Sequence, residues 1–300
     1  MIHASALPPS SLVICSRNRS KLLFETVESV LRGEDVPTEM IVVAQSDEPH
    51  PELPGMKTDR PCEIRYIHSK LVGAGAGRNL GIRSSRYQIL LFIDDDMFVE
   101  PDWFKNLVQA VIKAGLHSVV TGQVLSGASE VPGGEAPSIM KDLQPAAYKG
   151  RIGKDVLYTG NMGADRSVFD KVGLFDERLG PGTSFPAAED NDLGFRLLER
   201  GYCIHYVPDA VVYHRAWRSQ RESLSLEWRY GVGRGAYYAK HMNWRDPYMF
   251  SRMVRDMKGN VWTFFGHILR RRRIRFDTLF LAFGIFYGAI RWRASQMRKS

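Results

Sequence analysis

The sequence predicts an α/β fold: a mixed, mostly parallel sheet with helices on both faces, followed by a C-terminal helical extension. Three observations carry that prediction. Short apolar runs that end in polar clusters recur through the first two thirds of the chain, and stretches with helical apolar spacing lie between them. The longest early run, Gln88 to Ile93, ends directly in Asp94-Asp95-Asp96. Beyond residue 215 the strand signals stop and helical tendency takes over.

Taken in order, Ser11-Leu12-Val13-Ile14-Cys15 reads as a buried strand leading into the polar cluster Ser16-Arg17-Asn18-Arg19. Leu22, Leu23, Val27, Val30 and Leu31 then recur at helical spacing. Met40 to Ala44 is a second buried strand, and Glu63 to Ile67 alternates as a third. A helix is predicted over Gly73 to Ser85, the strand Gln88 to Ile93 follows, and then a helix from Pro101 to Ala114 and a strand from Ser118 to Val124. From Ser126 to Gly153 the pattern dissolves into Gly, Pro and Ser, which reads as a surface loop. Periodicity returns over Val156 to Val172. The Gly/Pro-rich stretch Leu179 to Pro186 then leads into a helix over Ala187 to Arg200, and Ile204 to Tyr213 supplies one or two short strands.

Composition narrows the class. The 300 residues are 44% hydrophobic and 25% charged, enough to bury a large core and inconsistent with wholesale disorder. Cys15, Cys62 and Cys203 are sparse, odd in number and without a C-x-x-C pair, which points to reduced thiols in a cytosolic compartment rather than a disulfide scaffold or zinc site. The opening residues carry no basic-then-apolar signal pattern. The net charge of +8 is uneven: residues 1–214 hold 22 Lys+Arg against 28 Asp+Glu, and residues 215–300 hold 19 against 5. A basic segment on an acidic body is compatible with anionic lipid, nucleic acid or a solvated surface.

Three acids at the end of a buried strand concentrate negative charge where ligands of open α/β sheets bind. Their mutual repulsion calls for a cation, and hard divalent ions take oxygens from one or two carboxylates plus substrate phosphates, so Asp94, Asp95 and Asp96 read as a metal-diphosphate site. A second cluster, Glu189-Asp190-Asn191-Asp192, opens a helix, where acids also serve as ordinary dipole caps. A base for a hydroxyl acceptor has to be a carboxylate or His near the bound substrate. His214 closes a late strand, and imidazole suits manganese and other transition ions. Gly73-Ala74-Gly75-Ala76-Gly77 does not directly follow the first strand as a dinucleotide fingerprint requires. Tyr230-Gly231-Val232-Gly233-Arg234-Gly235 lacks the end of a P-loop and reads as close helix packing.

In this order the pieces resemble the family 2 glycosyltransferases of the GT-A fold. The matching segments are Leu12-Val13-Ile14 with Ser16-Arg17-Asn18-Arg19, Arg78-Asn79-Leu80-Gly81, Asp94-Asp95-Asp96, Gly160-Asn161-Met162, Glu189 to Leu193, and His214. The resemblance covers residues 9–215 and implies a Rossmann-like GT-A catalytic domain there, with 216–300 as a basic helical extension. It further implies an inverting enzyme that uses a nucleoside-diphosphate sugar with Mn or Mg. By that resemblance Asp190 is the general base, and Asp96 and His214 are metal ligands. Arg17, Arg19, Asp47, Arg78, Asn79, Asp94 and Asp95 lie on the donor side, and Asn161 and Glu189 face the acceptor. The chain departs from the family after its second strand, where Ala44-Gln45-Ser46-Asp47 replaces the usual paired acids, so Gln45 or Asp47 is the candidate contact to the nucleotide base.

Leu279 to Ile290 is almost wholly apolar and is bracketed by Arg270-Arg271-Arg272-Arg273 and Arg291-Trp292-Arg293. Only 13 residues separate Asp277 from Arg291, short of the ~20 that span a bilayer. An interfacial helix is predicted, with the arginines at anionic headgroups and Phe280, Phe283, Phe286, Tyr287 and Trp292 in the acyl boundary. The competing reading is a helix packed on the body. The combined expectation is a cytoplasmic enzyme, peripheral at the inner face of the cell membrane, acting on a lipid-linked or polysaccharide-precursor glycan, with no nucleic acid partner. The rival readings are a nucleic-acid-binding or sugar-nucleotide-binding protein without turnover, and a sugar-phosphate nucleotidyltransferase. The last lacks its Gly-rich, Lys-containing loop after the first strand.

Overall fold

The computed structural model describes residues 7–132, 136–216, 220–269 and 276–297. Three parallel strands, β1 (Ser10–Ser16), β2 (Glu39–Ala44) and β3 (Glu63–His68), are joined by parallel pairing of β1 to β4 (Ile89–Asp94). Alternation within β1 and β4 sends side chains to both faces. Leu12, Ile14, Leu91 and Ile93 pack into one layer with Val27, Trp103 and Leu107. Val13, Leu90 and Phe92 pack into the other with Ile82, Phe169, Leu193 and Leu197. These layers belong to α1 (Ser20–Leu31) and α3 (Trp103–Ala114) on one face. On the opposite face lie α2 (Ala74–Ser84), α4 (Ser167–Val172) and α5 (Glu189–Glu199).

The second half of the sheet is built from β5 (Met97–Val99), β6 (Ser118–Ser129), β7 (Ala146–Tyr148), β8 (Asn161–Asp165) and β9 (Cys203–Ala216). The spatial order is β3-β2-β1-β4-β8-β6-β9-β5, with β7 on β9. β8 runs antiparallel between β4 and β6, and β5 pairs antiparallel with β9 so that Met97 lies opposite His214. That pairing carries His214 to the acidic triplet. The stretch 126–153 is therefore not wholly loop: β6 continues to Ser129 and β7 forms inside it, because backbone pairing to β9 sustains strands whose side chains show no apolar pattern. β9 is one 14-residue strand with a register shift opposite Gly122/Gln123.

The extension consists of α6 (Gln220–His241), α7 (Tyr248–Leu269) and α8 (Phe276–Met297). α6 and α8 meet through glycines: a Cβ on Gly235 would fall 2.0 Å from the Ile285 carbonyl oxygen, and one on Gly288 would fall 2.1 Å from that of Val232. The glycine run of α6 thus serves close helix packing, as its sequence implies. α8 is buried on one face through Ala282, Ile285, Gly288 and Trp292, and exposed on the other through Phe276, Phe280, Phe283, Tyr287 and Ile290. Trp292 does not face an acyl boundary: it shares the face of Ile285, is 3% exposed and meets the Phe185 ring at a tilt of 60°, centroids 5.1 Å apart. Its neighbours Arg291 and Arg293 stay exposed and donate to the Ser184 and Met242 carbonyls. The basic run Arg270 to Arg273 and Arg275 lie outside the described residues. No helix among the described residues is long and apolar enough to cross a membrane.

Gly288→Val tests the helix contact. Forcing two Cγ atoms against a carbonyl already within 2.1 Å of the Cβ site has to separate the helices, and we expect a loss of about 3 kcal/mol in stability by thermal or denaturant unfolding. An unchanged melting temperature would show that α8 is not tightly seated on α6.

Candidate active site

The C-terminal ends of β1 and β4, the start of α5 and the inner wall of α6 enclose a cleft of about 750 Å³. Its floor is an ion-pair lattice. Arg78, 7% exposed on α2, donates to Asp94 at 2.7 Å and to Glu189 at 3.0 Å, joining the end of β4 to the first turn of α5. Tyr158 hydroxyl donates to the second Asp94 oxygen at 2.9 Å. Gly160 makes room for that carboxylate, since a Cβ there would lie 2.4 Å from Asp94 Oδ2. Gly180, at φ +97°, likewise leaves space that a Cβ would take from the Glu189 carboxylate, 2.8 Å away.

Asp95 and Asp96 are buried at 2% exposure. Ser16 donates to Asp95 at 2.5 Å, and Arg19 reaches Asp95 at 3.2 Å and Asp96 at 2.9 Å. Burial pushes the Asp95 carboxyl up to about 7 against the pull of Arg19. His214 hydrogen-bonds the Arg215 carbonyl through Nδ1 at 3.1 Å. A carbonyl only accepts, so Nδ1 carries a hydrogen, and Nε2 faces Asp96 Oδ1, 3.7 Å away. This is a donor set suited to a divalent ion that takes its remaining ligands from phosphate oxygens. Among the described residues no three His, Cys, Asp or Glu side chains converge on one point.

Asp190 is half-buried on the first turn of α5, where the Thr159 amide approaches one carboxylate oxygen at 3.4 Å. Burial, then the charge of Glu189, hold its carboxyl well above the ordinary range, with Arg78 opposing. Ala188 precedes this turn in the left-handed region at φ +74°. It is held there by α6, whose Gly233 lies so close that a Cβ would sit 2.5 Å from the Ala187 carbonyl. Two residues on, fully buried Asp192 accepts from Arg196 at 2.9 Å, Lys240 at 2.5 Å and His241 at 2.7 Å, tying α5 to α6.

The predicted site residues separate into two groups. Arg17, Arg19, Arg78, Asp94, Asp95, Asp96, Glu189, Asp190 and His214 all line the cleft. Asp47, Asn79 and Asn161 do not. Asp47 sits at the exposed rim and exchanges hydrogen bonds with Asn18, at 3.0 and 3.1 Å, bracing the turn after β1; Gln45 lines the cleft instead. Asn79 clamps the loop before α5, bonding both backbone groups of Phe175 at 3.0 Å. Asn161 is fully buried, accepting from Trp103 at 2.9 Å and donating to the Gln123 and Ala210 carbonyls at 2.9 and 2.8 Å. It seals strands together and cannot face an acceptor.

The structure adds Tyr158, Cys15 and the α6 side chains Arg229, Tyr230 and Arg234 to the cleft. Tyr158 stands just before the Gly160-Asn161-Met162 segment, a proximity readable in sequence. The α6 residues carried no such signal. Burial pushes the Cys15 thiol up to about 12, so it stays protonated and offers no nucleophile.

The cleft thus lies at the carboxyl edge of an α/β sheet and gathers a carboxylate-imidazole pair beside a separate elevated carboxyl. The chain belongs to glycosyl transferase family 2, whose sequence model matches residues 11–173. It is 25% identical over 71% of its length, and 71% of the other chain, to glucosyl-dolichyl phosphate glucuronosyltransferase of Haloferax volcanii. It is 22% identical over 68% of its length to chondroitin synthase of Pasteurella multocida, of which it spans only 24%. The fold is that of GT-A glycosyltransferases. S. aureus TarS 1–349 in complex with UDP-GlcNAc superposes with a TM-score of 0.56 at 12% identity, covering 96% of this chain and 92% of that one. GalNAc-T7 with UDP, GalNAc and Mn2+ gives 0.52 at 17% identity, covering 81% and 52%.

Proposed function

We propose that the protein is a metal-dependent inverting glycosyltransferase that moves a sugar from a nucleoside-diphosphate sugar to a hydroxyl of a lipid-linked or polysaccharide-precursor glycan, at the cytosolic face of an anionic membrane. The observation that carries this reading is the division of the cleft's carboxylates into two environments. Asp94 is locked by Arg78 and Tyr158 on the β4 side, whereas Asp190 stands on α5 with an elevated affinity for protons. Separate environments assign separate roles.

In this reading the donor lies along the ends of β1 and β4, with Arg17 and Arg19 toward its nucleotide and phosphates and Arg78 holding Asp94 against the sugar. Asp96 and His214 Nε2 would hold Mn or Mg, which supplies positive charge against the departing diphosphate. Asp190 takes the proton of the acceptor hydroxyl as that oxygen attacks the anomeric carbon from the face opposite the diphosphate. The new glycosidic bond forms as the bond to phosphate oxygen breaks, and configuration inverts in that single displacement. The Haloferax relative, named for a dolichyl phosphate substrate, supports a lipid-linked acceptor, and the basic 215–300 segment supports an anionic membrane partner.

The pH dependence tests the base. Asp190 works only when ionised, and its elevated pKa means the ionised fraction is lost as pH falls through that raised value. The acid limb of kcat/KM for nucleoside-diphosphate release, which reports the free enzyme, should therefore lie well above the carboxylate reference of 3.8. A limb at the ordinary carboxylate position would remove Asp190 from the role.

A further inference from the structure

Among the described residues, exposed large apolar side chains fall into two sets. The six before residue 216 are aliphatic and scattered. The later set includes nine aromatics: Trp244, Phe250, Trp262, Phe265, Phe276, Phe280, Phe283, Phe286 and Tyr287. On α8 the residues Phe276, Phe280, Phe283, Tyr287 and Ile290 recur at intervals of three and four, forming one continuous outer stripe. An apolar stripe of this kind marks a lipid or protein contact. The segment 215–300 carries 19 basic residues against 5 acidic, so two copies brought face to face would juxtapose like charge, whereas an anionic bilayer complements it.

The same helix has a second edge. Leu281, next to Phe280, lines the catalytic cleft together with Arg229, Tyr230 and Arg234 of α6. A helix is only about 10–12 Å across, so a molecule whose hydrocarbon lies on the outer stripe can place its polar head in the cleft. The two arginines bring positive charge to that wall, which the single acid Glu227 of α6 also lines. Arg234 is half-buried and held by Asp256 of α7 at 3.2 Å, which also accepts from the Tyr238 hydroxyl at 3.0 Å. Arg229 is exposed and has no ion-pair partner among the described residues.

Resting on the transferase reading of the cleft, we infer that the wall formed by α6 and α8 holds the lipid-phosphate end of an acceptor whose glycan hydroxyl is the nucleophile, with the phosphate on Arg229 and Arg234 and the hydrocarbon on the outer stripe of α8. The acceptor then arrives from the bilayer. The donor enters the opposite side of the same cleft, over β1 and β4.

The test uses the full chain and dodecyl phosphate below its micelle concentration as the probe, measured by calorimetry beside inorganic phosphate and dodecyl maltoside. The subsite predicts that dodecyl phosphate binds at least tenfold more tightly than either control. Arg229→Gln with Arg234→Gln should weaken it at least tenfold, while UDP affinity stays within twofold. Phe280→Ser with Phe283→Ser, both on the exposed face, should abolish co-sedimentation with phosphatidylglycerol vesicles. Equal binding of inorganic phosphate, equal binding of the neutral amphiphile, or a parallel loss of UDP binding in the arginine variant would each overturn the assignment. So would a concentration-dependent dimer in sedimentation that Phe280→Ser and Phe283→Ser dissolve. Failure of the wild-type chain to bind any nucleoside-diphosphate sugar would instead count against the transferase reading itself.

Discussion

Asp190→Asn should reduce sugar transfer by about two to four orders of magnitude, the ordinary contribution of a positioned general base, while leaving donor affinity close to wild type. The separation of effects follows from the geometry. Asp190 makes a single long contact with the Thr159 amide at 3.4 Å and is not part of the Arg78 lattice of hydrogen bonds. Removing its charge therefore leaves Asp94, Asp95 and Asp96 in place. The substitution should also spare the fold, because an amide is isosteric and the carboxyl already resists ionisation when free of ligand. Steady-state release of nucleoside diphosphate and calorimetric donor binding check the two halves independently. Wild-type turnover in the variant would assign proton removal to another group.

Arg78→Met should have the largest structural effect of any single substitution in the cleft. The guanidinium is almost fully buried and joins Asp94 to Glu189 across two elements far apart in the chain. Truncating one partner of such a lattice leaves two carboxylates without their cation, at a cost of about 3–5 kcal/mol. Stability measured by denaturant unfolding should fall by that amount. Donor binding should vanish with it, since Asp94 loses the group that fixes its orientation. Arg78→Lys should recover part of the stability but not the bidentate bridge, because an ammonium cannot present two nitrogens to two separate acids. Full stability in Arg78→Met would mean that Glu189 and Asp94 find other compensation and that the lattice is dispensable.

Much of this architecture is legible in the sequence, for reasons that can be traced to particular residues. Parallel strands buried on both faces read as continuous apolar runs, so β1, β2 and β4 stand out, and the acids that end β4 mark the open edge of the sheet. β8 is harder to read. Its sequence, Asn161 to Asp165, includes Gly163, whose place is set by close approach: a Cβ would lie 2.5 Å from Val111 Cγ2. Nothing local announces such a strand. β5 and β7 owe their form to pairing with β9, a long-range constraint that periodicity does not record.

The same distinction governs the site. Charged groups at strand ends and helix starts project into the cleft because backbone geometry puts them there, and nine predicted residues meet for that reason. Asn79 and Asn161 are amides, and an amide is as able to satisfy buried backbone as to touch a ligand. Asp47 follows the second strand by too many residues and turns to the rim. The α6 contribution is invisible locally, since it depends on glycines of α6 and α8 that let one helix lie against the other and close the wall. Trp292 shows the same limit in reverse: its arginine neighbours and aromatic ring look interfacial, yet its helical phase places it inward.

Residue 215 is accordingly no boundary of the site, even if it marks the end of the sheet. α6 supplies cleft residues, packs Gly233 against Ala187 before Asp190, and meets Asp192 through Lys240 and His241. Loss of the extension is thus expected to disturb catalysis by a route separate from membrane attachment.

In the proposed mechanism the acidic cleft binds a nucleoside-diphosphate sugar through a divalent cation held at Asp96 and His214. Calorimetric titration of a panel of such donors, with and without Mn, against wild type and Asp96→Ala, tests it most directly. One donor should bind in a manner that requires Mn and is lost in Asp96→Ala. Donor binding that is indifferent to both the cation and the substitution, or absent for every donor, would contradict it.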